Sequence, residues 1–261
     1  RDYTRRGAVH IQFHPDHLFV TNPGGFLAGI TLDNLLVHEP KPRNPRLAEV
    51  FTRIGLIEKT GRGIDKVYLG QLWYGRPIPD YTLSDSEGVR LVLRGGPTSL
   101  EFAAFVYEQD KAGSSLRLDE LLVLNQLQHE RRIDAAIVGR LTQRGEAHAQ
   151  AVLEQLAERG LIEPRGNGHG RVYQLSAVIY RRLGAPADHG RRLDPVRQEA
   201  IVMEYVAAYG HITRHEAVEL CGLGDDQASR LLRRLTSNGK LGLYGEKRGA
   251  YYALPNGNMR G

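Results

Sequence analysis

The second half of the chain contains an internal repeat with a constant spacing of 79 residues. The repeated positions are mostly glycines and apolar residues, and they align without a gap: Gly145 with Gly224, Leu153 with Leu232, Leu156 with Leu235, Gly160 with Gly239, Gly170 with Gly249, and Tyr173 with Tyr252. Because glycine permits backbone conformations that other residues avoid, repeated glycines indicate repeated backbone geometry. The repeat therefore predicts two copies of one small domain.

Each copy is predicted to fold as three helices followed by a polar β-hairpin. In the second copy we expect helices at 195–208 and 213–221, then a third helix with Asp225 as its N-cap. Its buried face carries residues at i, i+3, i+4 and i+7, namely Ala228, Leu231, Leu232 and Leu235. The hairpin is expected from Lys240 to Leu254. The matching elements of the first copy are predicted at 118–129, 133–141, 146–159 and 161–175.

Residues 1–111 are predicted to mix helix and strand. Val9, Ile11 and Phe13 alternate with polar residues, which indicates a strand, and Leu18 to Val20 is its returning partner. Strands are also expected near 80–84 and 89–94, and helical periodicity marks other stretches. At 261 residues, two or three domains are expected. We predict an α+β protein with domains at 1–111, 112–184 and 185–261.

Composition excludes several classes of protein. The single cysteine, Cys221, cannot form an intrachain disulfide and suits a reducing cytosol, so we expect a cytoplasmic protein. No apolar run approaches the roughly 20 residues that span a bilayer, so no membrane partner is expected. The chain begins Arg1-Asp2-Tyr3 without a methionine, and we expect a truncation or a proteolytic product.

One segment in the second copy of the repeat has the same net charge as the whole chain, +5. Residues 227–249 carry a net charge of +5, whereas the matching residues 148–170 carry −1. A local excess of cations is expected where a protein binds nucleic-acid phosphates. The alternative is a helix face whose arginines contact only water.

We predict DNA-binding residues in both copies. In the second copy they are Gln227, Arg230, Arg233, Arg234, Lys240, Lys247 and Arg248. Gln227, Arg230 and Arg234 lie opposite the leucines, and these residue types can bond base edges or phosphates. In the first copy they are Arg144, His148 and Arg171. The acidic third helix of that copy fits a structural or dimerisation role equally well.

The repeat resembles the winged helix-turn-helix domain of bacterial transcription regulators. The resemblance is carried by Leu153, Leu156, Gly160 to Ile162 and Gly170 to Tyr173, and by their partners 79 residues later. It implies that the third helix enters the major groove of double-stranded DNA, with the hairpin as a wing and a homodimer as the binding form. Many winged helices serve only in dimerisation or protein docking, so an interaction scaffold is an alternative.

The first region resembles the ATPase-like domain named after the C-terminal part of RecG-type helicases. Its motifs here are Asn22 to Phe26, Gly29 to Leu35, Pro42 to Ala48 and Gly55 to Ile64. In that family the domain follows a Schlafen-type AlbA DNA-binding domain and precedes winged helices, in bacterial transcription regulators. The resemblance implies a fragment that lacks the AlbA domain.

The same resemblance raises nucleotide binding as a competing function. By analogy with histidine-kinase-type ATPases, two glycine loops would lie near nucleotide phosphates: Asn22, Gly24 and Gly25, and Gly61, Arg62 and Gly63. The Glu and Asn that would hold Mg are absent, and the chain has no P-loop. We expect no catalytic residue, no turnover and no cofactor unless ATP with Mg binds. Otherwise these glycines shape turns and helix caps.

The histidines do not predict a metal site. His10, His14 and His17 lie with Asp16 around a turn, where solvated side chains are expected. His211 and His215 have the i, i+4 spacing of helical ligands, but no convincing further ligand accompanies them. The sequence therefore predicts a DNA-binding transcription regulator without a metal.

Overall fold

The computed structural model describes residues 1–57, 62–96, 99–166, 171–184, 195–245 and 250–255. The predictions for Gly61, Lys247 and Arg248 lie outside these described residues. Contacts group the chain into two units, Arg1–Gln126 with Ile133–Leu156, and Leu127–Arg132 with Ala157–Gly261. This division passes through the first copy of the repeat, and the three predicted domains stay a prediction.

The chain is a mixed α and β protein, as predicted. Up to residue 158 its elements are β1 (His10–Phe13), β2 (His17–Pro23), α1 (Pro45–Arg53), α2 (Gly63–Trp73), β3 (Gly88–Arg94), α3 (Leu100–Lys111), α4 (Leu118–His129), α5 (Ala135–Thr142) and α6 (Glu146–Glu158). The later elements are β4 (Ile162–Arg165), β5 (Val172–Leu175), α7 (Ala177–Gly184), α8 (Pro195–Tyr209), β6 (His211–Ile212), α9 (Arg214–Cys221), α10 (Asp225–Ser237), β7 (Gly242–Tyr244) and β8 (Tyr251–Ala253).

The N-terminal strands form one antiparallel sheet in the order β1-β2-β3. The predicted hairpin is confirmed, with Ile11 opposite Val20. The strand predicted near 80–84 is wrong, because Asp80 makes only an isolated bridge to Val92. Its carboxylate accepts hydrogen bonds from the main-chain N–H and the hydroxyl of Thr82, which closes a turn there.

Helices α2 and α3 contribute buried side chains to the first unit, among them Leu72, Phe102 and Phe105. The hydroxyl of Ser99 accepts a hydrogen bond from the Phe102 N–H at 3.1 Å and caps α3. Further along this unit, apolar residues of α4, α5 and α6 are fully buried, namely Leu121, Leu124, Val138, Leu153 and Leu156. The predicted helical periodicity of the first copy is therefore confirmed.

The second copy lies wholly in the second unit. The helices predicted there are confirmed as α8, α9 and α10, and their shared core includes Val202, Leu220, Leu232 and Leu235. Its sheet has the order β6-β8-β7, so the short strand β6 joins the predicted hairpin. The N-cap of α10 is Gly224 instead of Asp225, because the backbone of Gly224 is still extended.

Candidate nucleic-acid interface

Helix α10 separates an apolar face from a basic one. The residues at i, i+3, i+4 and i+7 are buried, with Leu232 and Leu235 fully excluded from solvent. Gln227, Arg230 and Arg233 are exposed. A helix that packs through one leucine face offers its other face to a partner.

The exposed side chains in the first turns of α10 use only some of their hydrogen-bonding groups within the protein. The side-chain oxygen of Gln227 accepts a hydrogen bond from the Gly224 N–H at 3.2 Å, and Nε of Arg230 donates to the Asp226 carbonyl at 3.2 Å. Within the described part of the chain, Arg233 has no hydrogen-bond or ion-pair partner. Arg230 and Arg233 therefore present donors that a phosphate or a base edge can accept.

Two further predicted cations are held by one carboxylate of the protein itself. Glu199 in α8 forms an ion pair with Lys240, and it lies 3.8 Å from Nη2 of Arg234. The hydrogen bond from Lys240 is the main reason why the pKa of Glu199 lies below its usual value. Arg234 also donates to the Pro195 carbonyl at 3.3 Å. The charge count over residues 227–249 did not include Glu199. The positive charge available to a partner is therefore smaller than the count of +5 indicates.

Arg214, at the start of α9, is a candidate that the sequence reasoning missed. It is exposed, and its Nε lies 3.5 Å from a carboxylate oxygen of Asp225, the first residue of α10. The preceding Thr213 forms a capping box with Glu216. The motif Ser/Thr-x-x-Glu is visible in the sequence and places Arg214 at a helix N-terminus.

The first copy presents its predicted contacts differently. Nε2 of His148 pairs with a carboxylate oxygen of Asp119 at 2.7 Å, so this ring is engaged inside the fold. The guanidinium carbon of Arg171 lies 5.3 Å from the ring centroid of Tyr173, within the roughly 6 Å that is typical of a cation–π contact. Arg144 is exposed. Arg144 and His148 belong to the first unit, whereas Arg171 belongs to the second.

The turn between α5 and α6 is bound to the N-terminal region. Gln143 has a left-handed backbone with φ of 57°. Its side-chain oxygen accepts from the Leu36 N–H at 2.7 Å, and its side-chain nitrogen donates to the Leu32 carbonyl at 2.8 Å. In a helix-turn-helix this turn precedes the recognition helix. Here it holds another segment of the same chain.

The first predicted nucleotide loop is closed by main-chain bonds. The N–H groups of Gly24 and Gly25 donate to the carbonyls of Glu87 and Ser86, at 2.8 and 3.2 Å. Asn22 belongs to β2 and is paired with Val89. Those two glycine donors are therefore already used, although a phosphate cradle requires free N–H groups.

The second predicted nucleotide loop is described only in part. Arg62 occupies the N-cap position of α2, and Gly63 is the first residue of that helix. Arg62 is exposed. These positions suit a helix start as well as an anion contact.

The described residues contain neither a metal-ion cluster nor a membrane-spanning helix. No three His, Cys, Asp or Glu side chains in these ranges lie together as metal ligands. No helix within them has the length and apolar character needed to cross a bilayer.

Comparisons with known proteins match a family model to part of the chain and a solved structure to its fold. A family model described as "Putative ATP-dependent DNA helicase recG C-terminal" matches residues 7–93. No curated protein matches the sequence. The crystal structure of the DIP2311 protein from Corynebacterium diphtheriae shares the fold, with a TM-score of 0.60 and 24% sequence identity. The match covers 98% of this chain and 47% of that one, so the chain spans about half the length of this bacterial protein.

Proposed function

We propose that the chain is a DNA-binding regulator that holds double-stranded DNA with α10 and the β7–β8 hairpin. The observation that carries the proposal is the exposed pair Arg230 and Arg233 on the face of α10 opposite its buried leucines. Neither guanidinium group is neutralised by a carboxylate within the described residues. A phosphate supplies the negative charge that this face lacks.

The order of elements in the second copy supports the same proposal. A helix, a short strand, two helices and a hairpin follow each other, and the three strands pair in the order β6-β8-β7. This is the arrangement expected of a winged helix-turn-helix domain. The major groove, about 12 Å wide, admits one α-helix of this kind.

The chemistry of each side chain would decide whether it contacts a base edge or a phosphate. Gln227 and Arg230, in the first turns of α10, would approach base edges, while Arg233 and Arg214 would contact phosphates. Lys247 and Arg248, which lie between β7 and β8 in the sequence, would add phosphate contacts. Arg234 and Lys240 would contribute less, because their ion pairs with Glu199 would compete with DNA.

The first copy would serve as a docking element in this regulator. Its α5–α6 turn is bound through Gln143 to Leu32 and Leu36. We infer that each chain reads DNA with one helix and that a cytoplasmic homodimer binds two half-sites. Sedimentation tests the dimer, since a strict monomer at high protein concentration, with and without DNA, would contradict it.

A DNA mobility shift across salt concentrations tests the proposed interface. The double variant Arg230→Gln with Arg233→Gln should bind at least about tenfold more weakly, and its log–log salt slope should be smaller by about 0.9 because the phosphate contact of Arg233 is lost. The matched control is Arg46→Gln with Arg53→Gln, two exposed arginines of α1. Equal losses in both variants would mean that only net charge matters, and no loss would refute the interface.

Nucleotide binding is the second candidate, favoured by the family match over residues 7–93. It would require a phosphate to compete with the bonds from Gly24 and Gly25 to Glu87 and Ser86, or to use the α2 loop. Calorimetry with ATP and Mg tests it. ATP binding that is lost in Arg62→Gln would support this second function. If no heat of binding is detected, the glycines serve only as turn residues.

A further inference from the structure

The first unit contains a charged cleft that DNA binding by α10 does not use. The cleft has a volume of about 580 Å³ and lies between the segment around Asp33 and the helices α5 and α6. The small residues Ala135, Ala136 and Gly139 of α5 form part of its lining. This volume lies within the range of about 300–1,000 Å³ that is typical of small-molecule sites.

The two walls of the cleft are held in place by hydrogen bonds. Gln143, itself a lining residue, binds the main chain of Leu32 and Leu36 on either side of Asp33. On the helix side, a Cβ atom at Gly139 would lie 3.1 Å from the Arg144 carbonyl, so this close approach suits glycine. The cleft therefore lies where the 32–36 segment is hydrogen-bonded to the α5–α6 turn within the first unit.

Four charged side chains line the cleft, two of each sign. They are Asp33, Arg140, Arg144 and Glu146. All four are exposed, and none of these side chains forms an ion pair or a hydrogen bond with any described residue. Cations and anions that line one cleft without pairing to each other can each meet a group on a ligand.

We propose that this cleft binds a small zwitterion, a free α-amino acid or a short peptide. The carboxylate of the ligand would be held by the guanidinium groups of Arg140 and Arg144, which suit planar bidentate binding. Its ammonium group would face Asp33 and Glu146. A nucleotide or another polyanion fits less well, because the two carboxylates would repel it. Contact with both walls would couple the ligand to the docking made by Gln143.

The test is binding of free amino acids to the full chain. The standard amino acids and Ala-Ala are screened singly by thermal shift at about 10 mM, and those that stabilise the protein are measured by calorimetry. We expect at least one to bind. The charge-removing variants Arg140→Gln with Arg144→Gln and Asp33→Asn with Glu146→Gln should each weaken its affinity about tenfold or more. Acetate and methylamine, each carrying one of the two charges, should bind much more weakly.

The controls separate this site from the DNA surface. Arg46→Gln with Arg53→Gln and Arg230→Gln with Arg233→Gln should leave amino-acid affinity unchanged, and circular dichroism confirms that each cleft variant is folded. Absence of binding by the whole panel would overturn the proposal. So would ATP or phosphate binding that strengthens in Asp33→Asn with Glu146→Gln, because that outcome identifies an anion site. Loss of DNA binding in the arginine cleft variant without any amino-acid binding would assign the cleft to DNA.

Discussion

Arg165 and Glu216 form an ion pair that joins the hairpin of the first copy to helix α9 of the second. Glu216 is nearly buried, with 6% of its side chain exposed, and Arg165 retains 23%. The same carboxylate accepts hydrogen bonds from the N–H and hydroxyl of Thr213 at 2.7 and 2.8 Å, which caps α9. The charge count over residues 148–170 included Arg165, but this arginine pairs with a nearly buried carboxylate within the second unit.

We predict that Arg165→Gln destabilises the second unit. The substitution leaves the carboxylate of Glu216 buried without its cation, which costs about 3 kcal/mol of unfolding free energy by analogy with other broken buried pairs. Urea unfolding followed by circular dichroism measures it. Arg53→Gln, which breaks the exposed Arg53–Glu49 pair, is the control and should cost less than about 0.5 kcal/mol. Similar values for the two variants would contradict the structural role of Arg165.

The environment of His211 predicts a loss of stability in mild acid. Burial is the main reason why its pKa lies below the usual 6.5, and the nearby charges of Arg165 and Arg132 add to the effect. Nε2 of His211 lies 3.2 Å from Nη1 of Arg165. The folded protein therefore disfavours the protonated ring, so this contribution to stability is present above pH 6.5 and is lost as the pH falls through the folded pKa.

The pH dependence of unfolding in urea, compared between the wild type and His211→Gln, checks this prediction. The wild type should lose more stability than the variant between pH 7.5 and the folded pKa of His211. Glu163 acts in the opposite sense, because burial raises its pKa and its contribution is lost as the pH rises through that value. It is present in both proteins, as are Glu216 and the ring of Tyr251 that contact this cluster. Equal pH slopes would refute the role of His211.

The sequence predicted the helices better than the charge pairs, for a physical reason. The leucines of α10 follow the period of one helix, so Leu231, Leu232 and Leu235 could be assigned to its buried face from local spacing alone. The pairing of Lys240 with Glu199 depends instead on how α8 packs near the start of the hairpin. Periodicity holds no information on such distant contacts, so counting charges within a window overestimated the free cations.

The bonds made by Gln143 predict that its side chain holds the 32–36 segment. Gln143→Gly removes both hydrogen bonds but keeps a residue suited to the left-handed backbone at φ of 57°. We expect a loss of about 1–3 kcal/mol for the two bonds. Faster amide hydrogen exchange at Leu36 than in the wild type should accompany it. Gln143→Ala should cost about 1 kcal/mol more, because alanine is disfavoured in that conformation.

Unchanged exchange at Leu36 in Gln143→Gly would show that the segment is held by other contacts. The same variant also tests whether the first copy of the repeat serves as a docking element. If its bonds to the N-terminal region serve only docking, DNA affinity should stay within about twofold of the wild type. A large loss would instead indicate that the α5–α6 turn contacts DNA.

Two glycines with similar backbones predict very different costs of adding one methyl group. Gly75 has φ of 62°, and a Cβ atom there would lie 2.1 Å from the carbonyl oxygen of Ser99, the residue that caps α3. Gly55 has φ of 73°, and its Cβ atom would meet nothing within 4 Å. Gly55→Ala should therefore cost only about 1–2 kcal/mol, the conformational penalty of an L-residue in the left-handed region.

Gly75→Ala adds a steric clash with main-chain atoms to that same penalty. Because the Ser99 carbonyl cannot move without disturbing the start of α3, we expect a total cost above about 4 kcal/mol, or failure to accumulate as folded protein. Thermal unfolding of the two variants beside the wild type measures the difference. If Gly75→Ala were no less stable than Gly55→Ala, the chain just after α2 would not approach the N-cap of α3 as closely as the structure has it.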